Sequence, residues 1–138
     1  MPSNLIEIKS NKTLIALIIK ANFKAKPHQF LTDKSNPLQL GINSYPKDHI
    51  VKPHQHQKLT KTTHQNQEFI YLKSGLLQVT FYKGSTLVKK LTLNPGDCLL
   101  QISGGHGFKF LANSELITIK QGPYHGKLKE KKIIKSNS

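Results

Sequence analysis

"EFIYLKSGLLQVTFYKGSTLVKKLTLNPGDCLLQI", residues 68 to 102, decides how this chain folds. Short runs of Ile, Leu, Val, Tyr and Phe are cut at "KSG" (73 to 75), "YKGS" (82 to 85) and "NPGD" (94 to 97). Such runs are strand-like, and Gly and Pro at the cuts supply the backbone angles of tight turns. The stretch therefore predicts strands over Glu68 to Lys73, Leu76 to Tyr82, Leu87 to Leu93 and Cys98 to Ile102. Links this short are expected to join antiparallel neighbours.

Working outward, the same pattern predicts strands at Leu5 to Ile8, Leu14 to Phe23, Leu38 to Ser44, Ile50 to His56, Gly107 to Leu111 and Leu116 to Gln121. No segment carries a sustained helical stripe, and a spacing of about eight to twelve residues is the rhythm of an all-β sandwich or barrel. The 138 residues suit one core, expected over residues 1 to 126. A basic, flexible tail is expected from 127 to 138.

The net charge of +14 comes from 21 basic residues, all of them lysine. Base-edge readout and bidentate phosphate contacts favour the arginine fork, so composition argues against nucleic-acid recognition. The single cysteine, Cys98, excludes an internal disulfide and a thiolate zinc cluster, and "GDCLLQI" reads as a buried strand. "LIALII" at 14 to 19 is too short to span a bilayer, so the expected setting is cytoplasmic.

Chemistry concentrates in three places. "HQH" puts His54 and His56 two residues apart, so on a strand both imidazoles face one side, as adjacent positions on a metal require. Glu68 opens a strand whose Ile70 and Leu72 share its face and point inward; a carboxylate there needs a cation or hydrogen bonds. His106 sits between glycines in "ISGGHGFKF". The segment between His56 and Glu68 reads as a long polar loop, which favours His54 and His56, while His64, four residues before Glu68, stays open as an alternate ligand by its spacing.

His-x-His, then Glu68 followed by Gly75, then "PGD" with Gly96, then glycine-bracketed His106, resembles the two-motif signature of the cupin superfamily over roughly Leu38 to Tyr124. The pattern departs at the long insert after His56 and at Ile102 or Ser103, where a proline is usual. The resemblance implies a double-stranded β-helix, a jelly-roll barrel, whose mouth binds a divalent metal through His54, His56, Glu68 and His106. Iron, manganese, nickel and zinc all suit such ligands. Tyr71, Gln101, Lys109, Gln121 and Tyr124 are candidate pocket residues by position.

The region from 102 to 124 further resembles small single-domain cupins of sugar-nucleotide and surface-polysaccharide pathways. That implies a metal-dependent isomerase or epimerase acting on a carbohydrate or sugar nucleotide. The alternatives are a cupin-type iron oxygenase and a non-catalytic sugar- or metal-binding module. Cupins pair through an N-terminal strand, and the apolar length of "TLIALIIKANF" (13 to 23) leads to the expectation of a homodimer.

Overall fold

A computed structural model describes residues 4 to 27 and 29 to 135. Residues 136 to 138 of the expected tail lie outside the described residues. The fold is nearly all β: ten strands and one four-residue helix among the described residues. Two compact units are present, Met1–Phe23 with Asn66–Ser138, and Lys24–Gln65.

The first unit holds two antiparallel sheets. The larger contains β1 (Leu5–Ser10), β2 (Thr13–Ile19), β5 (Glu68–Ser74), β8 (Cys98–Gln101) and β10 (Glu115–Lys120), in the order β1-β2-β8-β5-β10. The smaller contains β6 (Leu77–Lys83), β7 (Thr86–Leu93) and β9 (Gly105–Phe110), in the order β7-β6-β9. Period-two alternation sends Ile8, Ala16, Ile18, Ile70, Leu72 and Leu99 from one sheet against Leu77, Val79, Phe81 and Leu93 from the other. All are essentially sealed from solvent, and each such side chain contributes about 1.5 to 3 kcal/mol relative to exposure.

One expectation about the turns is corrected. Of these three turns only "YKGS" closes a hairpin, between β6 and β7. "KSG" carries the chain from β5 to β6, and "NPGD" from β7 to β8; in both cases the flanking strands lie in different sheets. These are corners, because the chain must leave one inward face and re-enter on the opposite one. Gly75 shows why: its φ of +94° suits glycine, and a Cβ there would lie 2.5 Å from the Asn113 carbonyl oxygen.

The apolar length of β2 has an explanation within this chain. The strand lies between β1 and β8, and Ile15 to Ile19 are all buried.

Among its described residues the second unit has only β3 (Gln29–Phe30) paired with β4 (Gly41–Ile42). The loop between them is tied by its own polar groups: Ser35 donates through its backbone N–H and its hydroxyl to the Asp33 carboxylate, and the Gln39 amide donates to the carbonyls of Asp33 and Asn36. Those bonds from Ser35 hold the Asp33 pKa below its usual value.

The strand expected over Ile50 to His56 is absent, and the one expected over Leu38 to Ser44 shrinks to Gly41–Ile42. Ile50 and Val51 are both exposed, Pro53 lacks a ladder donor, and the polar residues that follow offer no apolar face to bury.

Candidate functional site

The register of the larger sheet builds the site. Glu68 on β5 pairs with Gln101 on β8 and with Lys120 on β10, so three polar side chains form one row across adjacent strands. The next row inward is Leu99, Ile70 and Thr118, so the polar row caps the end of the core. From the smaller sheet, β9 brings in His106, which pairs with Phe81 and therefore shares its inward direction.

The four groups are connected. The Gln101 amide nitrogen donates to the Ser103 carbonyl at 2.6 Å, which turns its oxygen toward His106 Nδ1 at 3.0 Å. Nδ1 is therefore the protonated nitrogen, and Nε2 carries the lone pair. That Nε2 lies 3.8 Å from Glu68 Oε1, while Glu68 Oε2 pairs with the Lys120 ammonium at 3.1 Å. The His106 ring is also stacked on Phe108, with centroids 4.5 Å apart.

Burial holds the His106 pKa below 6.5; Glu68 opposes this by raising it, and Lys131 and Lys120 lower it further. A neutral imidazole nitrogen facing a carboxylate places two electron-rich atoms side by side. The arrangement invites something positive or proton-donating between them: a proton, a ligand hydroxyl or a cation.

The sign for stability follows from the lowered pKa. Below pH 6.5 the unfolded chain takes up a proton at His106 more readily than the folded one, so this residue's contribution is present at neutral pH and lost on acidification. The expected result is that His106→Gln protein loses less stability between neutral pH and about pH 5 than the parent does. In Glu68→Gln protein the imidazole pKa should fall further, because the carboxylate raises it. Long-range proton–nitrogen spectra across a pH series measure that shift, and an unchanged or raised value would contradict the pairing.

The groups open into a cavity of about 940 Å³. Gln101, Gln121 and Tyr124 line it. Tyr71 and Lys109 do not: Tyr71 alternates with the buried Ile70 and Leu72, and Lys109 alternates with His106 and Phe108, so both point to the opposite faces of their sheets. Gln121 also has a structural task, its side-chain oxygen accepting from the backbone of Gln67, whose own amide donates to the Ile102 carbonyl.

Sequence reasoning passed over Lys120 and the C-terminal residues 130 to 134, which also line the cavity. Lys120 shares a face with Leu116 and Thr118 by alternation, but only the pairing of β10 with β5 reveals that this face meets Glu68. The C-terminal residues offered no apolar pattern that could be read as part of a pocket.

Of the expected metal ligands, Glu68 and His106 are brought together within the first unit. His54, His56 and the alternate His64 belong to the second unit and are exposed. His54 Nδ1 bonds to the Lys52 carbonyl at 2.8 Å, and the rings of His54 and His56 stand 5.5 Å apart, tilted by 57°. Within the first unit, no third His, Cys, Asp or Glu joins Glu68 and His106 among the described residues. Among the described residues Glu68 and His106 supply one carboxylate and one ring nitrogen, short of the three or four protein ligands a divalent ion usually takes, and the Lys120 ammonium already pairs with that carboxylate.

No family model matches the chain, and neither a curated protein nor a solved structure matches it. Among the described residues no helix is long and apolar enough to cross a membrane.

Proposed function

We propose that this protein is a small-molecule binder of the cupin type whose cavity performs acid–base chemistry on a carbohydrate or sugar nucleotide, as an isomerase or epimerase. The observation that carries the reading is His106 Nε2 facing Glu68 Oε1 at 3.8 Å, at the mouth of a cavity large enough for a sugar. Support for the fold comes from strand order. Strands β5 to β10 leave β8-β5-β10 in one sheet and β7-β6-β9 in the other, which is the order of six of the eight strands of a double-stranded β-helix. The edges at β9 and β10 stand where the remaining two strands would pair.

In this reading His106 removes a proton from the carbon beside a sugar carbonyl through Nε2 and returns it from the same face to the neighbouring carbon; inversion would need a second acid on the opposite face. Gln101 holds the ring by Nδ1 during the transfer, and Glu68 stabilises the imidazolium that forms. Lys120 places a positive charge beside the oxygen that becomes an enolate.

The test is exchange in heavy water. Full-length protein, alone and with Fe(II), Mn(II), Ni(II) or Zn(II), is incubated with aldo- and keto-sugars, free, phosphorylated and nucleotide-linked. The expected outcome is deuterium at the carbon beside the carbonyl of at least one. No incorporation with any sugar under any metal condition would sink the reading.

A further inference from the structure

The C-terminal segment is placed against the cavity by a specific fit. Gly126 ends the preceding loop, and Lys127–Glu130 forms a single helical turn, closed by the Glu130 and Lys131 N–H groups bonding to the carbonyls of Gly126 and Lys127. Glu130 reaches back to accept the His125 backbone N–H at 3.1 Å. The chain then runs over β9, where the Cδ1 of Ile134 occupies the space beside Gly105 that a Cβ would enter.

This brings two lysines into the cavity lining that form no ion pair with an acid among the described residues. Glu68 is paired with Lys120, and Glu130 is engaged by backbone; Lys131 and Lys132 line the cavity with no ion pair to a described acid. Lys131 is near enough to His106 to act on its charge. The cavity thus has a proton-transfer end at Glu68 and His106 and a cationic end on the C-terminal segment, with Tyr124 as an aromatic wall. Unpaired ammonium groups at a partly enclosed surface favour a doubly charged oxyanion over a neutral hydroxyl.

We propose that residues 130 to 134 are an anion-binding strap, holding the phosphate of a phosphorylated or nucleotide-linked sugar at Lys131 and Lys132 while the sugar ring lies toward Glu68 and His106. The inference rests on the reading above that the cavity takes a sugar, and it adds which substrates are taken and what selects them. Ligand phosphate also ties the strap to the rest of the cavity, so binding stabilises the segment where it lies.

Calorimetric titration of the full-length chain with glucose, glucose 1-phosphate, uridine diphosphate glucose and inorganic pyrophosphate tests this. The phosphate-bearing sugars should bind at least about tenfold more tightly than glucose. Lys131→Gln with Lys132→Gln should remove about that advantage and leave glucose affinity unchanged. The control is Lys89→Gln with Lys90→Gln, the same charge change on exposed positions of β7, because a chain of net charge +14 attracts any anion weakly. That control should keep the advantage.

Trypsin cleavage after Lys127 and Lys129 should slow when phosphorylated sugar is present, and Gly105→Leu, which displaces Ile134, should remove the protection. Equal affinity of glucose and its phosphate, or equal losses in the two double variants, overturns the strap while leaving the sugar-binding cavity standing. Absence of binding by every probe overturns both. Affinity for glucose 1-phosphate that survives Glu68→Gln, alongside lost deuterium exchange, separates anchoring from chemistry and is the expected pattern.

Discussion

Replacing Asp97 by Ala is expected to lower stability by about 3 to 5 kcal/mol and the melting temperature by roughly 10 to 20 °C. Asp97 closes the "NPGD" corner and is 1% exposed. Its carboxylate accepts the backbone N–H groups of Ala21 at 2.9 Å and Asn94 at 2.8 Å, and pairs with the Lys20 ammonium at 2.5 Å. Its main chain is held as well, the Leu72 N–H donating to the Asp97 carbonyl and the Gly96 N–H to the Leu72 carbonyl. One side chain thus ties the corner to the segment leaving β2.

The alanine variant leaves two N–H groups unsatisfied and the ammonium without its partner, which is more costly than losing the attraction alone. Lys20→Met should cost less, because the carboxylate keeps the Ala21 and Asn94 N–H groups as donors. Asp97→Asn should fall between the two, keeping one acceptor and losing the charge. Thermal and urea unfolding followed by circular dichroism measure all three. A loss below about 1 kcal/mol for Asp97→Ala would mean that water replaces the carboxylate and that the corner is held by main-chain bonds alone.

Glu68→Gln is expected to reduce sugar deuteration by about a hundredfold to ten-thousandfold, the usual range for a lost acid–base partner. Glutamine keeps the size and can still accept from Lys120, so the fold should survive. What disappears is the negative charge that favours the imidazolium of His106 at 3.8 Å. The pH profile distinguishes this role from simple packing. With the raising influence of Glu68 gone, the limb that reports His106 should move to lower pH, whereas damage to packing would reduce the rate without moving it. His106→Gln should abolish turnover, and Gln101→Leu should reduce it less while moving the same limb, because it frees the ring to adopt either tautomer.

Much of the strand pattern of the first unit was legible in the sequence, and for one reason. From Glu68 to Lys120 the strands are bounded by glycine, proline and polar turns, and their inward faces are read from alternation. Ile70, Leu72, Val79 and Phe81 are all fully buried as that alternation requires. The candidate strand at Ile50 to His56 failed because two apolar residues beside a proline satisfy a pattern without supplying a face to bury. Its loss removes the strand geometry on which the reading of His54 and His56 as side-by-side ligands rested.

The candidate site divides in the same way. That Glu68 and His106 carry chemistry could be argued from a carboxylate beside an apolar run and a histidine between glycines. By itself the sequence determined the β class, the turn positions and the inward direction of Glu68, since all three depend on neighbours along the chain. Which strands pair was left to tertiary structure. It made "KSG" and "NPGD" corners between sheets, aligned Gln101 and Lys120 with Glu68 across strands far apart in sequence, and laid the C-terminal lysines beside His106. Cross-strand register and sheet packing are contacts between distant segments, and local pattern holds no record of which segment will lie beside which.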